Sequence, residues 1–151
     1  MAEQKEDFDL ERWVAALQEA ILEREREMFS DKVRAEAREP HNMGVLDPAD
    51  GYGLAFGSCG DTMECFVTLD GECVKDAFFN TDGCGPTVAC GSMMTKLAEG
   101  KVLAEASAIE AAEVIVALDG LPPEHVHCAT LAVNSLQLAI ADCQVIPHRG
   151  E

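Results

Sequence analysis

The chain has 151 residues, with 28 acidic and 11 basic side chains and a formal net charge of −17. Residues 41–146 contain fifteen Asp and Glu against three Lys, and such a surface repels nucleic-acid phosphates. No apolar run approaches the roughly 20 residues of a membrane-spanning helix. The N-terminus is acidic, and the seven cysteines fit no secreted disulfide framework. We therefore expect one cytoplasmic domain with reduced thiols.

The N-terminal part of the chain predicts two helices. Residues 8–29 form the first, in which Trp13, Leu17 and Ile21 lie at i, i+4 and i+8 and begin an apolar stripe. We predict that this stripe packs on the body of the domain or on a second copy of the chain, which would make a homodimer. A second, charged helix covers residues 31–40 and ends at Pro40, because proline cannot continue a helix.

The central part of the chain predicts a small sheet. Apolar and polar residues alternate after Met63 with the period of a strand, and the next strand begins at Cys73. Between them, Asp70-Gly71 predicts a two-residue hairpin turn of type I′. Cys65 and Cys73 are interpreted as packing residues of the sheet. The three predicted strands lie near residues 54–56 and over residues 63–69 and 73–79.

The C-terminal half predicts four helices. The first begins near Pro86, carries Met93 and Met94 on an apolar face and is closed by Gly100. Two short amphipathic helices follow over residues 103–109 and 111–118, before a break at Gly120-Leu121-Pro122-Pro123. The last helix covers about residues 127–142 and is apolar on most sides, so we expect it to be buried, with Cys90 and Cys143 as helix packing residues.

Three thiols carry the candidate chemistry: Cys59 in Gly57-Ser58-Cys59-Gly60-Asp61, Cys84 between Gly83 and Gly85, and Cys128 beside His127. Cys84 and Cys128 are predicted at helix N-termini, which favour the thiolate that binds soft metals and attacks sulfur. Since the three are far apart in sequence, only the fold can bring them together. Three thiolates with Asp61 or His127 could hold an iron–sulfur cluster weakly or zinc tetrahedrally, and the residues alone leave both open.

These motifs, in this order, resemble the NifU/IscU-type iron–sulfur cluster assembly scaffolds over about residues 29–142. The matching segments are Phe29-Ser30-Asp31-Lys32-Val33, Pro40-His41-Asn42-Met43-Gly44, Cys59-Gly60-Asp61-Thr62-Met63, Thr81-Asp82-Gly83-Cys84-Gly85, Ser92-Met93-Met94-Thr95, Gly100-Lys101, Leu121-Pro122-Pro123 and His127-Cys128. The resemblance implies an α+β fold: a small antiparallel sheet of about three strands with helices packed mainly on one face. We expect a scaffold domain over residues 29–146, an added helical extension over residues 1–28 and a tail over residues 147–151.

The resemblance also implies a function and roles for individual residues. Such a scaffold is not an enzyme: it assembles a labile [2Fe–2S] cluster, or also a [4Fe–4S] cluster, and passes it to recipient apo-proteins. Sulfur arrives as persulfide from a cysteine desulfurase, and iron and electrons come from separate donors. The matching positions make Cys59, Cys84 and Cys128 the cluster ligands, with Cys128 as the persulfide acceptor. Asp61 would be the labile fourth ligand and His127 an alternative to it.

Some features depart from the pattern of the family. His125 stands where the family often has a lysine, in the segment that an Hsp70-type chaperone grips, and Phe29 stands where many members have tyrosine. No permanent-cluster or C-terminal carrier domain is expected. The uninterrupted chain between Cys84 and Cys128, with His127, is unlike the zinc-dependent SufU-type branch. The alternatives are a zinc-binding sulfur-relay protein that never carries a cluster, and an interaction module with a vestigial site.

Overall fold

The computed structural model describes residues 9–58 and 60–145, and within them three strands form one antiparallel sheet in the order β1-β2-β3. Cys59, residues 1–8 and the predicted tail over residues 147–151 lie outside the described residues. The strands are β1 (Gly51–Phe56), β2 (Thr62–Asp70) and β3 (Cys73–Thr81). The helices are α1 (Leu10–Met28), α2 (Asp31–Arg38), α3 (Gly85–Ala98), α4 (Leu103–Ser107), α5 (Ala111–Ala117) and α6 (Val126–Val145), with a 3₁₀ turn at Pro123–His125. The predicted α+β class with three antiparallel strands is confirmed.

The hairpin between β2 and β3 closes one residue later than predicted. Asp70 pairs with Cys73, so Gly71 and Glu72 form the two-residue loop. Of these two, only Gly71 has a positive φ, of 62°. A type I′ turn needs positive φ at both central residues, whereas type II′ needs it only at the first. The prediction of a type I′ turn at Asp70-Gly71 was therefore wrong, because the side chain of Glu72 disfavours the second positive φ.

One face of the sheet is covered by α3 and α6, which confirms that helices pack mainly on one side. Met63, Cys65 and Val67 of the central strand point into this layer and are fully buried. At the edge strand β1, glycine lets α6 approach closely: a Cβ on Gly53 would lie 2.4 Å from the carbonyl oxygen of Ser135. The sheet and α6 are thus in backbone contact, with no side-chain layer between them at this point.

The last helix is buried on most of its circumference, as predicted, but not all round. Leu131, Leu136 and Ile140 are at most 2% exposed, whereas Leu138 is 48% exposed. Met94 of α3 is fully buried, and Met93 packs at the edge of the same core, as the sequence predicted. The core therefore lies between the sheet and the pair α3 and α6.

The first helix does not pack on the body of the domain. No residue of α1 is buried, and Trp13, Leu17 and Ile21 are 52%, 46% and 50% exposed. The extended backbone at Phe29 separates α1 from α2, and it is α2 that reaches the core, through Val33. The prediction that the stripe packs on the body was wrong, and packing on a second copy stays a prediction. Across the described residues, no helix has both the length and the hydrophobicity that crossing a bilayer requires.

Candidate thiol and carboxylate site

Three of the predicted site residues meet around one threonine hydroxyl. The Oγ1 atom of Thr87 lies 3.3 Å from Oδ2 of Asp61, 3.3 Å from Sγ of Cys128 and 3.7 Å from Sγ of Cys84. These side chains come from the β1–β2 loop, the start of α6 and the start of α3. The fold therefore brings together residues that are up to 67 positions apart in the chain.

Both thiols occupy the helix starts that the sequence predicted. Cys84 is the N-cap residue of α3, with Pro86 in the first turn, and its side chain is exposed. Cys128 is the third residue of α6 and is only 1% exposed. The two predicted ligands therefore differ sharply in how easily a partner protein can reach them.

Asp61 is placed by a short closed loop between β1 and β2. The Gly57 amide donates to the Asp61 carbonyl oxygen over 2.7 Å, and Gly60 has a positive φ of 89°. On the far side of Asp61, the Thr62 amide donates to the Asp82 carboxylate over 2.8 Å. That bond from Thr62 lowers the pKa of Asp82 below its ordinary value. The loop is thus tied to the segment that precedes Cys84.

His127 lies at the edge of this cluster. Its Nε2 atom is 3.7 Å from Sγ of the neighbouring Cys128. The ring centroid of His127 is 6.4 Å from that of His125, which in turn is 5.3 Å from the ring of Phe29. His127 can therefore reach the sulfur side of the site, as its predicted role as an alternative ligand would require.

Cys59 lies outside the described residues, so the predicted ligand set is only partly in view. Within residues 9–58 and 60–145, no three His, Cys, Asp or Glu side chains are grouped closely enough to hold a metal ion. The donors that do converge are two sulfur atoms and one carboxylate. Thiolate suits iron–sulfur clusters and zinc, while a carboxylate is a harder and weaker ligand for such soft centres. These donor types would therefore suit an iron–sulfur cluster or zinc, bound less tightly than by thiolates alone.

Thr87 is the site residue that sequence reasoning missed. It is fully buried, and it lies three positions after Cys84, one turn along α3. Gly83 makes room for it, since a Cβ at Gly83 would lie 2.6 Å from Cγ2 and 2.8 Å from Oγ1 of Thr87. The signal available in the sequence was a hydroxyl one helical turn from a candidate thiol, because residues three apart on a helix face the same side.

Three of the other described cysteines, Cys65, Cys90 and Cys143, pack in or against the core, as predicted. Cys65 and Cys90 are fully buried, and burial raises the pKa of both thiols well above the ordinary value. Cys143 is half-buried, and desolvation with the nearby Asp50 and Asp142 raises its pKa to about 11. Cys73 is also half-buried, in β3. The raised pKa keeps the thiols of Cys65, Cys90 and Cys143 protonated at neutral pH, and a protonated thiol is a poor nucleophile.

Comparisons with known proteins concern the chain as a whole. The family model of the NifU-like N terminal domain matches residues 28–149. The iron–sulfur cluster assembly scaffold protein IscU 1 of Archaeoglobus fulgidus is 39% identical over 116 residues, 76% of each chain. The scaffold protein IscU of Haemophilus influenzae is 39% identical over 119 residues, 76% of this chain and 94% of that one.

A solved structure shares the fold. The N-terminal part of a NifU-like protein from Brucella abortus superposes with a TM-score of 0.58 at 15% identity, covering 76% of this chain and 93% of that one. Similarity at this low identity concerns the fold alone, whereas the family model and the curated relatives extend over most of the sequence. This chain belongs to the NifU-like N-terminal domain family.

Proposed function

We propose that this protein is a scaffold on which a labile iron–sulfur cluster is assembled and from which it is transferred to apo-proteins. The observation that carries the proposal is the convergence of Asp61, Cys84 and Cys128 around Thr87. Relatives of 39% identity over three quarters of this chain are named iron–sulfur cluster assembly scaffolds, which supports it. The cluster is the cargo of such a protein, so the protein itself is not an enzyme.

The ligands that we propose are Cys59, Cys84 and Cys128, with Asp61 in the fourth position and His127 as the alternative. A durable cluster normally has four cysteine ligands. A carboxylate in place of one thiolate weakens the hold on the iron, which suits a cluster that must leave. The cargo on this ligand set is a [2Fe–2S] cluster, with a [4Fe–4S] cluster as a further form, and zinc can occupy the same donors when no cluster is present.

Sulfur enters this scheme by transfer to Cys128. The Cys128 thiolate attacks the outer sulfur of a desulfurase persulfide: a new S–S bond forms at Cys128, the donor's S–S bond breaks, and the donor cysteine leaves as thiolate. This step needs no oxidant. Reduction of the transferred sulfur to sulfide takes two electrons, which a separate electron donor supplies. Because Cys128 is 1% exposed, the side chains around it must move aside for the transfer.

The partners in this proposal are a cysteine desulfurase, an iron donor, an electron donor and the recipient apo-proteins, all in the cytoplasm. The sulfur step has a direct test. Cys128→Ser should accept no persulfide from a desulfurase, while Cys143→Ser, which changes a half-buried cysteine at the other end of α6, should accept it normally. Mass spectrometry of the protein after incubation with desulfurase and cysteine reads out the added sulfur. Undiminished transfer to Cys128→Ser would refute the acceptor role.

The scaffold itself is tested by purifying the protein without oxygen and measuring visible absorption, iron, sulfide and zinc. Brown protein with equal iron and sulfide, bleached by a chelator, is the expected result. Protein that holds zinc is then supplied with desulfurase, cysteine and ferrous iron. If it accepts persulfide but forms no cluster, the protein is a sulfur relay and the scaffold proposal is wrong.

A further inference from the structure

The Thr87 hydroxyl has three side-chain partners, as many as one hydroxyl can serve at once. A threonine hydroxyl has one proton to donate and two lone pairs to accept with. Around it lie the carboxylate of Asp61 and the sulfur atoms of Cys128 and Cys84, at 3.3, 3.3 and 3.7 Å. The Thr87 side chain is fully buried, so bulk solvent does not reach its hydroxyl. The hydroxyl therefore contacts side chains of the candidate site and not solvent.

A second buried threonine on α3 has a different kind of hydrogen-bond partner. Thr95 is also fully buried, but its hydroxyl lies 2.7 and 3.2 Å from the backbone carbonyl oxygens of Ser92 and His41, which share its single proton. Thr95 ties the helix to itself and to a neighbouring loop. Thr87 instead contacts side chains from three separate segments of the chain, each of which carries a proposed cluster ligand.

We propose that Thr87 is a positioning residue, whose hydroxyl holds the Asp61 carboxylate beside the Cys128 sulfur so that both can bind the same metal centre. The proposal rests on the proposed function of the site and adds a residue that does not itself bind iron. A carboxylate has several acceptor positions on its two oxygen atoms, so the contact of Oδ2 with Thr87 is compatible with metal binding by Asp61. Groups that orient metal ligands in this way typically contribute about 10- to 100-fold in metal affinity.

The test is an anaerobic titration of the metal-free protein with Co²⁺, followed by the absorption that cobalt–thiolate bonds produce. Thr87→Val removes the hydroxyl and keeps the shape of the side chain, and it should weaken Co²⁺ binding by about tenfold or more. Thr87→Ser keeps the hydroxyl and should bind within about twofold of the wild type. Thr95→Val is the matched control, because it removes a buried hydroxyl from the same helix without touching the site. If Thr87→Val fails to fold, Thr87→Ala replaces it, with the same expected loss.

A double-mutant cycle shows whether Thr87 acts through Asp61. If it does, Thr87→Val should weaken binding much less in an Asp61→Ala background than in the wild type, because coupled residues are not additive. Wild-type affinity in Thr87→Val, or an equal loss in Thr95→Val, would overturn the proposal while the site itself stands. Co²⁺ binding that is indifferent to Cys84→Ala would instead refute the proposed function of the site, and Thr87 would have no ligand to position.

Discussion

The contact between β1 and α6 gives a prediction whose size follows from the coordinates. In Gly53→Ala, the new Cβ would lie 2.4 Å from the Ser135 carbonyl oxygen, 2.5 Å from the Ala139 amide nitrogen and 2.7 Å from Cβ of Leu138. Ordinary contacts of a Cβ atom begin at 3.4 Å. The first two atoms belong to the backbone of a buried helix and cannot rotate away, so α6 and β1 must separate by about 1 Å.

Overpacking of this kind costs about 1–3 kcal/mol of unfolding free energy. For a chain of this length, each kcal/mol corresponds to about 2–4 °C in Tm, so we expect Tm to fall by roughly 2–12 °C. Thermal and urea unfolding followed by circular dichroism measures the change. Gly85→Ala is the control, because its Cβ would meet only Ala37 Cβ, at an ordinary 3.8 Å. Wild-type stability in Gly53→Ala would show that Gly53 of β1 is not in close contact with the backbone of α6.

Three further predictions concern the thiols and the carboxylate. Asp61→Ala should slow the loss of a reconstituted cluster in air, because a labile ligand is gone; faster bleaching at visible wavelengths would contradict that role. In brief iodoacetamide labelling, mass spectrometry should find exposed Cys84 modified well before buried Cys128 and Cys65, and the reverse order would be inconsistent with their burial. The raised pKa of Cys65 and Cys143 means that unfolding releases protons at high pH, so stability should be intact below the ordinary thiol pKa of 9.0 and decline from there to about pH 11. Urea unfolding from pH 7 to 11 measures the decline, and Cys143→Ala should reduce it.

Local patterns were enough to predict most of the fold. The alternation after Met63 located β2, and Gly83-Cys84-Gly85-Pro86 placed Cys84 at the start of α3, because strand period and helix caps are properties of neighbouring residues. The prediction of the turn type was wrong because the pairing of Asp70 with Cys73 decides which two residues form the loop. Composition alone does not fix that register. The prediction that the α1 stripe packs on the body of the domain was wrong for a different reason. An amphipathic pattern predicts a helix but does not say what covers its apolar face.

The candidate site was predictable in its thiols and carboxylate but not in its centre. Asp61, Cys84 and Cys128 were identified from motifs, while the hydroxyl that joins them was not. Thr87 has an unremarkable sequence context, and its importance arises only because Asp61 and Cys128, from distant segments, come within 3.3 Å of it. Contacts between segments far apart in the chain are set by tertiary packing, which a single sequence does not display.

The glycine contact between β1 and α6 also joins the two elements that lead to the candidate site. Asp61 lies in the loop that connects β1 to β2, and Cys128 lies in the first turn of α6. A fluctuation that slides β1 along α6 would therefore move the two sides of the site relative to each other. The close contact at Gly53 therefore limits how far the Asp61 carboxylate and the Cys128 sulfur can shift relative to each other.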